Sequence, residues 1–284
     1  MTDRDRGEAR TGGRASGPVL FWLTPSDRVE STSEGLLLYP GEILSRHLFR
    51  SLRAGVGERF CFVDPDRPER RFLGRVMKDA PPEISLEELA METPSPRRTF
   101  DLAVALLKGE GWEDLIEPAA ILGVRRLVPL LADRSQLRWS SDVLAKKRER
   151  FTAKVREASQ LAGRADRMEI SEPVSLGELL SNLPSEGSLL FCDTAGHVEP
   201  AGTVLGRLGS APAVAAIGPE GGWSEREREL VEEFGHKGGR LHRISLGPFI
   251  LPGRLAPVVV ASLLSQEGAQ VEERTEHQQG EGSS

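Results

Sequence analysis

A chain of 284 residues, at a soft expectation of about 150 residues per domain, predicts two domains and is long enough to bury a sizeable core. Hydrophobic residues make up 38% and charged residues 28%, which excludes collagen, coiled coil and wholesale disorder. No apolar run reaches the roughly 18 residues of a membrane span and the N-terminus lacks a signal-like stretch, so we expect a cytoplasmic protein. Cys61 and Cys192 lie far apart without a Cys/His cluster, which predicts neither a disulfide framework nor a metal site.

The charge is unevenly distributed along the chain. The net charge of −6, from 37 basic and 43 acidic residues, argues at first against a nucleic-acid partner. Residues 125–154, however, carry nine Lys and Arg against three acidic residues, whereas the end after Gln266 carries five Glu and one Arg. The basic stretch is either an RNA-contacting surface or an ordinary solvated helix face.

The composition along the chain predicts five segments. Residues 1–17 are polar and Gly-rich and are expected to be disordered. Short apolar runs between Gly, Pro and Asp turns predict a small all-β domain over residues 18–78, with one helix in it. The Pro-rich, acidic residues 79–98 are interpreted as a linker, residues 99–266 as the second domain and residues 267–284 as a disordered acidic tail. Because strands and helices alternate in the second domain, we expect an α/β fold with a mostly parallel sheet.

The sharpest motif is AIGPEGGWS at 216–224, where a strand of small apolar residues runs into a Gly-Pro-Glu-Gly-Gly loop. Paired glycines let the backbone approach a ligand, and Ser224 with Glu227 predicts a capping box that opens the next helix. A second Gly turn, LGPFIL at 246–251, ends the following strand. Neighbouring parallel strands that end in such loops line one crevice, unless the loops merely connect strands to helices.

These motifs resemble a known family, the uridine-N3 methyltransferases of small-subunit ribosomal RNA. The GPEGG loop is the most specific match, and LGPFIL also follows the family pattern. So do KGEGWEDLIEPAAILGVRRLVPLLADRS at 108–135 and KVREASQLAGR at 154–164, while RHLFRSLRAGVGERFCFVD at 46–64 resembles the family's opening β domain. The resemblance covers about Pro18 to Gln266.

The resemblance implies a PUA-like RNA-binding β-barrel followed by a SPOUT-type knotted parallel sheet that binds S-adenosylmethionine. It also implies a homodimer that needs no metal and that methylates one uridine of small-subunit ribosomal RNA, free or in the assembled small subunit. By family analogy, a strand end, the GPEGG loop and the LGPFIL loop hold the cofactor. The residues concerned are Leu190, Phe191, Ile217, Gly218, Pro219, Glu220, Gly221, Gly222, Leu246, Gly247, Ile250 and Leu251.

Five arginines are candidate RNA contacts. Arg46, Arg50 and Arg53 fall mostly on the polar face of the helix predicted over residues 41–53, where they are suited to bind phosphates. Arg134 and Arg164 are interpreted as phosphate or base contacts, with a surface salt bridge as the alternative.

The chain departs from the family pattern just after LGPFIL. Where the family has Arg-x-Glu-Thr, this chain has Pro252-Gly253-Arg254-Leu255, and Phe249 stands for an earlier Arg. Pro118 and Ile121 stand where the family has Lys and Glu. Because apolar residues replace polar ones at several motif positions, the sequence leaves open whether activity or substrate has changed.

The chemistry limits which residues can act in catalysis. Methylation of uridine N3 needs a base or positive groups, because N3 carries a proton at neutral pH. Arg254 is the catalytic candidate, stabilising the developing oxyanion, with a solvated helix-terminal Arg as the alternative. Glu220 is a possible base, although a structural role in its turn is favoured.

Three hypotheses follow from the sequence. The first is an active methyltransferase, and the second is a paralogue that binds RNA, with or without the cofactor, but does not methylate. A metabolic α/β enzyme is disfavoured, since the second domain shows no nucleophile, metal cluster or phosphate loop.

Overall fold

The computed structural model describes residues 20–33, 35–89, 99–107, 111–209 and 211–266. The chain divides into two compact units: Met1–Pro94 with Ser159–Arg167, and Ser95–Ala158 with Met168–Ser284. The predictions for residues 1–17, 90–98 and 267–284 lie outside the described residues.

The first unit is built on a six-stranded sheet in the order β1-β4-β5-β6-β3-β2. Strand β1 pairs with β4 in parallel, and the other neighbouring pairs are antiparallel. The strands are β1 (Leu20–Trp22), β2 (Arg28–Thr32), β3 (Gly35–Tyr39), β4 (Arg59–Asp64), β5 (Arg67–Asp79) and β6 (Pro82–Leu89). Phe21, Phe60, Phe62 and Phe72 dominate its core, as expected for a sheet whose inward positions alternate with outward ones.

The predicted helix of this unit is short and changes its winding. Helix α1 (Glu42–Ser45) continues as a π-helical turn (Arg46–Ser51), and Arg53 then takes the left-handed conformation at φ 54°. Leu44 and Leu48 are buried in the core cluster of the sheet, and Arg46, Arg50 and Arg53 are exposed. The structure therefore buries Leu44 and Leu48 of the predicted apolar face and exposes the three arginines, but it also leaves Ile43 exposed.

Two expectations for this part of the chain need correction or stay unconfirmed. The linker prediction is wrong for residues 82–89, which form β6 between β5 and β3, because Ile84 and Leu86 alternate into the core. Pro81 lies in the turn between β5 and β6, and Pro82 is the first residue of β6. Within the described residues β1 and β2 are the two ends of the strand order, so the predicted closed barrel is not confirmed.

The second unit is a seven-stranded sheet in the order β11-β13-β10-β12-β7-β8-β9, and every neighbouring pair is parallel. Its strands are β7 (Phe100–Ala105), β8 (Arg126–Leu130), β9 (Glu169–Ile170), β10 (Ser188–Cys192), β11 (Glu199–Pro200), β12 (Ala213–Ile217) and β13 (Arg240–Ser245). Its helices are α2 (Ile116–Ile121), α3 (Ser141–Leu161), α4 (Leu176–Ser181), α5 (Ala201–Leu205), α6 (Glu225–His236) and α7 (Ala256–Gln266). The predicted α/β fold with a parallel sheet is confirmed.

The sequence explains why the central strands lie where they do. Strand β12 is a continuous apolar run, AVAAI, buried at all five positions, which is typical of a parallel strand covered on both faces. Helix α6 starts with the predicted capping box, because Ser224 and Glu227 each accept the other's backbone N–H. None of the helices in the described ranges is long and apolar enough to cross a membrane.

Candidate functional site

A cleft of about 350 Å³ lies at the carboxyl ends of three adjacent strands, β10, β12 and β13. This is the edge of a parallel sheet where ligands bind, and the volume falls within the range of small-molecule sites. Each strand end adds a loop to its wall. The cleft is lined by Arg134, Cys192–Thr194, Ile217–Trp223, Arg228, Ile244–Gly247, Phe249–Leu251, Gly253 and Ala256.

The GPEGG loop, Gly218 to Gly222, is a tight turn held by the tryptophan that follows it. The Gly222 N–H donates to the Pro219 carbonyl at 2.8 Å, and Gly222 has a φ of +67°, a conformation that favours glycine. A Cβ at Gly218 would lie 3.0 Å from the Trp223 ring, so a side chain there would push against the indole. The glycines thus let the loop close onto Trp223.

Trp223 fastens the loop to the end of β10. Its side chain is buried, its ring stacks on Phe191 with centroids 4.6 Å apart, and its Nε1–H donates to the Cys192 carbonyl at 2.8 Å. An aromatic pair with a bonded indole N–H gains both packing and hydrogen-bond energy. Trp223 therefore sets the distance between two walls of the cleft.

Asp193 forms a charged hub just beyond β10. Its side chain is 2% exposed and accepts bonds from Arg228 Nε at 2.9 Å and Arg243 Nη2 at 3.0 Å. Burial raises the pKa of this carboxyl. The hydrogen bond from Arg228 and the backbone N–H groups of Thr194 and Ala195 outweigh that effect, however, so the pKa lies below its usual range. The hub stays charged at neutral pH and ties β10 to α6 and β13.

Cys192 presents a neutral thiol in the cleft wall. Burial, with a smaller contribution from the charge of Asp193, raises its pKa to about 12. A thiol with such a pKa is protonated at neutral pH and is not an activated nucleophile. The structure therefore offers no support for covalent catalysis by this side chain.

The structure brings most of the predicted cofactor residues together. Those on the cleft lining are Ile217, Gly218, Pro219, Glu220, Gly221, Gly222, Leu246, Gly247, Ile250 and Leu251. Leu190 and Phe191 are not on the lining, because both are fully buried inside β10. At this strand end Cys192, Asp193 and Thr194 face the cleft instead.

The predicted catalytic and RNA-binding residues are more dispersed. Arg134 lines the cleft and donates from Nη1 to the Gly221 carbonyl at 3.0 Å. Arg254 is exposed just before α7 and is not among the lining residues. Arg164 belongs to the first unit, where its side chain is 10% exposed and bonded to Asp166, so its burial does not favour the predicted RNA contact.

Three residues that shape the cleft escaped the sequence analysis: Asp193, Trp223 and Arg228. Asp193 directly follows a buried apolar strand, and a charged residue at such a position is a usable signal for a ligand edge. Trp223 lies inside the AIGPEGGWS motif but looks like an ordinary core residue. The pairing of Arg228 with Asp193 joins residues 35 positions apart, and no local pattern predicts it.

The lining favours a ligand that combines apolar surface with a few polar groups. Glycine backbones and aliphatic side chains form most of it, while Arg134 and Glu220 supply charge near the GPEGG loop. In the described part of the chain, no group of three His, Cys, Asp or Glu side chains is placed to hold a metal ion.

Comparison with known proteins gives consistent matches. The model of a family described as an RNA methyltransferase domain matches residues 93–265. The ribosomal RNA small subunit methyltransferase E of Synechocystis sp. is 32% identical over 58% of this chain, which spans about half of that relative, 52% of its length. The protein of the same name from Aquifex aeolicus is 28% identical over 81% of this chain and 93% of its own.

A solved structure supports the same fold. The ribosomal RNA small subunit methyltransferase E of Neisseria gonorrhoeae, bound to S-adenosyl methionine, matches with a TM-score of 0.68 at 21% identity, over 86% of this chain and 95% of that one. At this identity the likeness shows a shared fold. Because the family model spans more than half of the chain and the relatives agree with it, the protein belongs to the RNA methyltransferase domain family, as a divergent relative of the ribosomal RNA small subunit methyltransferase E proteins.

Proposed function

We propose that this protein is an S-adenosylmethionine-dependent methyltransferase that acts on N3 of a uridine in small-subunit ribosomal RNA. The observation that carries the proposal is the convergence of the GPEGG and LGPFIL loops on one cleft at the strand ends of a chain in this family. The named relatives, ribosomal RNA small subunit methyltransferases, support the substrate class. A ribosomal RNA substrate also favours a cytoplasmic location.

The residues of the cleft fit this cofactor. A nucleoside with an amino-acid arm needs backbone groups, apolar walls and a few polar contacts, and the lining supplies all three. Gly218 and Gly253 let the cleft walls pack closely on their neighbours, because an added Cβ would lie 3.0 Å from the Trp223 ring at Gly218 and 2.7 Å from Leu107 Cδ2 at Gly253. Gly218 to Gly222 and Leu246 to Leu251 would hold the cofactor.

The chain's own contribution to the chemistry is placement and charge. The bound cofactor supplies an electrophilic methyl group on a sulfonium. The protein has to hold the uracil edge in line with that methyl group and to favour loss of the N3 proton. Such positioning can lower the activation barrier by several kcal/mol, up to about 11 kcal/mol. We propose Arg254 as the residue that stabilises the uracil oxyanion, and its exposed position leaves it accessible to RNA. Glu220 on the cleft lining is the candidate acceptor for the proton.

Calorimetric titration with S-adenosylhomocysteine tests the proposed cofactor site. We expect micromolar binding that S-adenosylmethionine competes away, because the cleft is open and lined by the predicted loops. Methyl transfer by the unaltered protein to small subunits that lack the modification then separates an enzyme from a non-methylating paralogue. A lower rate in Arg254→Ala tests the proposed role of Arg254. Absence of binding up to millimolar ligand would overturn the enzyme proposal.

We also propose finer features of the fold. The first unit would be the PUA-like RNA-binding domain, and the second a SPOUT-type knotted sheet. The order β13-β10-β12 supports the second, because the chain crosses from one side of β10 to the other before α7 packs on β7 and β12. The segment before α7 also passes close to Leu107 and Glu220, next to the GPEGG loop.

A homodimer is supported by exposed apolar side chains of the second unit. Phe249 is 82% and Ile250 89% exposed, and Leu255 and Ile121 are also large and exposed. Phe249, Ile250 and Leu255 belong to the one segment between β13 and α7, and large exposed apolar side chains that lie together favour an interaction surface. We propose that a second copy of the chain covers them.

Arg46, Arg50 and Arg53 are proposed to bind the RNA backbone. Arg46 and Arg50 are four residues apart in the π-helical turn, and Arg53 lies two residues after its end. Three exposed arginines therefore lie along one short segment. Replacing all three with glutamine should weaken RNA binding at low salt and reduce the slope of log affinity against log salt by about 3, roughly one unit for each lost phosphate contact.

Salt-dependent filter binding measures this slope. Arg70→Gln is the matched control, because Arg70 lies on β5 of the same unit, outside the segment of the three test arginines, and is bonded to Glu88 as Arg46 is bonded to Glu42. Equal slopes for the triple variant and the unaltered protein would show that the three arginines do not contact phosphates.

A further inference from the structure

The loop between β8 and α3 contacts the GPEGG loop from the side opposite to β10. Two of its residues, Asp133 and Arg134, make hydrogen bonds to residues about 90 positions later in the chain. The strand order alone does not require these hydrogen bonds, which join this loop to the GPEGG loop and to the start of α6.

Asp133 completes a closed set of hydrogen bonds at the start of α6. Its carboxylate accepts from Ser224 Oγ at 2.5 Å and from Arg226 Nε at 3.1 Å, and its N–H donates to Glu227 Oε1 at 2.9 Å. Ser224 Oγ in turn accepts the Glu227 N–H at 3.1 Å. A serine hydroxyl has a single proton, and because that proton points to Asp133, a lone pair remains for Glu227. Asp133 thus fixes Ser224, the N-cap of α6, two residues after the GPEGG loop.

The Asp133 carboxyl is charged under ordinary conditions. The hydrogen bonds from Arg226 and Ser224 lower its pKa from the usual value. An ionised carboxylate forms the stronger, charge-assisted hydrogen bonds, which suits it to hold a loop.

Arg134 holds the middle of the GPEGG loop. Its Nη1 donates to the Gly221 carbonyl at 3.0 Å, and a Cβ at Gly221 would lie 3.5 Å from Arg134 Cβ, so the stem of the arginine runs along the loop backbone. Gly221 and Gly222 have no side chains with which to fix their own conformation. Glycine loses more backbone freedom on ordering than any other residue, so the contact from Arg134 has a large effect on the conformational order of this loop.

We propose that Asp133 and Arg134 are positioning residues that hold the GPEGG loop in its ligand-receiving conformation before the cofactor arrives. The inference rests on the proposed function for the identity of the ligand, but its structural part concerns only the loop. A loop that is ordered in advance binds its ligand more tightly, because the entropy cost of ordering the loop no longer reduces the free energy of binding.

Amide hydrogen exchange and calorimetry with S-adenosylhomocysteine test the proposal in Asp133→Asn and Arg134→Ala. In the absence of ligand, the amides of Gly222 and Ser224 should exchange faster in both variants, because in the unaltered protein the first donates to the Pro219 carbonyl and the second to the Glu227 carboxylate. The dissociation constant should rise about tenfold, as expected for the loss of one hydrogen bond to a charged group. Arg134→Lys, which keeps a cationic donor, should restore part of the affinity.

Arg148→Ala is the control, since it removes an exposed arginine of α3 that is bonded to Glu172. It should change neither exchange at the GPEGG loop nor affinity. Unchanged exchange in both test variants would overturn the proposal. So would a weaker affinity without faster exchange, because Arg134 would then be a direct ligand contact. If the unaltered protein binds no ligand, the proposed function fails, and exchange alone still decides the positioning role.

Discussion

Replacing Trp223 with alanine is expected to destabilise the protein by about 3 to 5 kcal/mol, the range measured for truncating a buried aromatic side chain. The same change should abolish cofactor binding. Both effects follow from one geometry, because the indole packs on Phe191, contacts the Gly218 position and bonds the Cys192 carbonyl. Without it, the GPEGG loop and the end of β10 lose their common support.

A graded variant separates the two contributions of Trp223. Trp223→Phe keeps an aromatic ring against Phe191 but loses the 2.8 Å bond from Nε1. We expect it to cost roughly 1 to 3 kcal/mol, because the Cys192 carbonyl loses its partner in a buried setting and the smaller ring fills less volume. Denaturant unfolding followed by circular dichroism measures both variants.

Two outcomes would contradict this account of Trp223. If the alanine variant were as stable as the unaltered protein, the loop would not depend on the indole. If the alanine variant were destabilised but still bound S-adenosylhomocysteine with unchanged affinity, the position of the GPEGG loop would not decide the shape of the cleft.

The sequence could predict the second unit because its signals are local and agree with one another. The apolar run AVAAI, the glycine loop and the Ser224 capping box each indicate strand, turn and helix start, and the structure has all three. Strand β6 was missed because prolines at 81 and 82 resemble a linker. Its pattern of Ile84 and Leu86 is short, and only pairing with β5 and β3 makes it a strand.

The sequence predicts the loops of the candidate site but not the charged residues that hold them. Glycines at strand ends indicate a cleft from sequence alone, whereas Leu190 and Phe191 are expected on it only by family analogy and are buried inside β10 instead. The cleft lies at the carboxyl end of the strand, so its wall begins at Cys192, the last residue of β10. Arg228 and Asp133 act through partners distant in sequence, and such pairs emerge only once the sheet order is known.

Replacing Asp193 with alanine is expected to cost about 3 kcal/mol, near the lower end for breaking a buried ion pair. Arg228 and Arg243 would be left close together with 21% and 19% of their side chains exposed and without the carboxylate between them. The cost is not higher because Arg243 keeps Glu232 and the Ala195 carbonyl. Urea unfolding at neutral pH measures the loss, and Arg148→Ala serves as a control that removes a surface ion pair with an expected effect under about 1 kcal/mol.

The dependence of this loss on pH tests its electrostatic origin. The folded-state pKa of Asp193 lies below its ordinary value of 3.8, so the unfolded chain binds the proton first as the pH falls. The stabilisation by Asp193 is therefore complete above that value and disappears as the pH falls through the lower, folded-state pKa. The stability difference between the unaltered protein and Asp193→Asn, which keeps the shape of the side chain, should be constant from about pH 7 to 5 and shrink in more acidic solution. A difference that stayed the same throughout the acidic range would show that Asp193 acts by packing and not by charge.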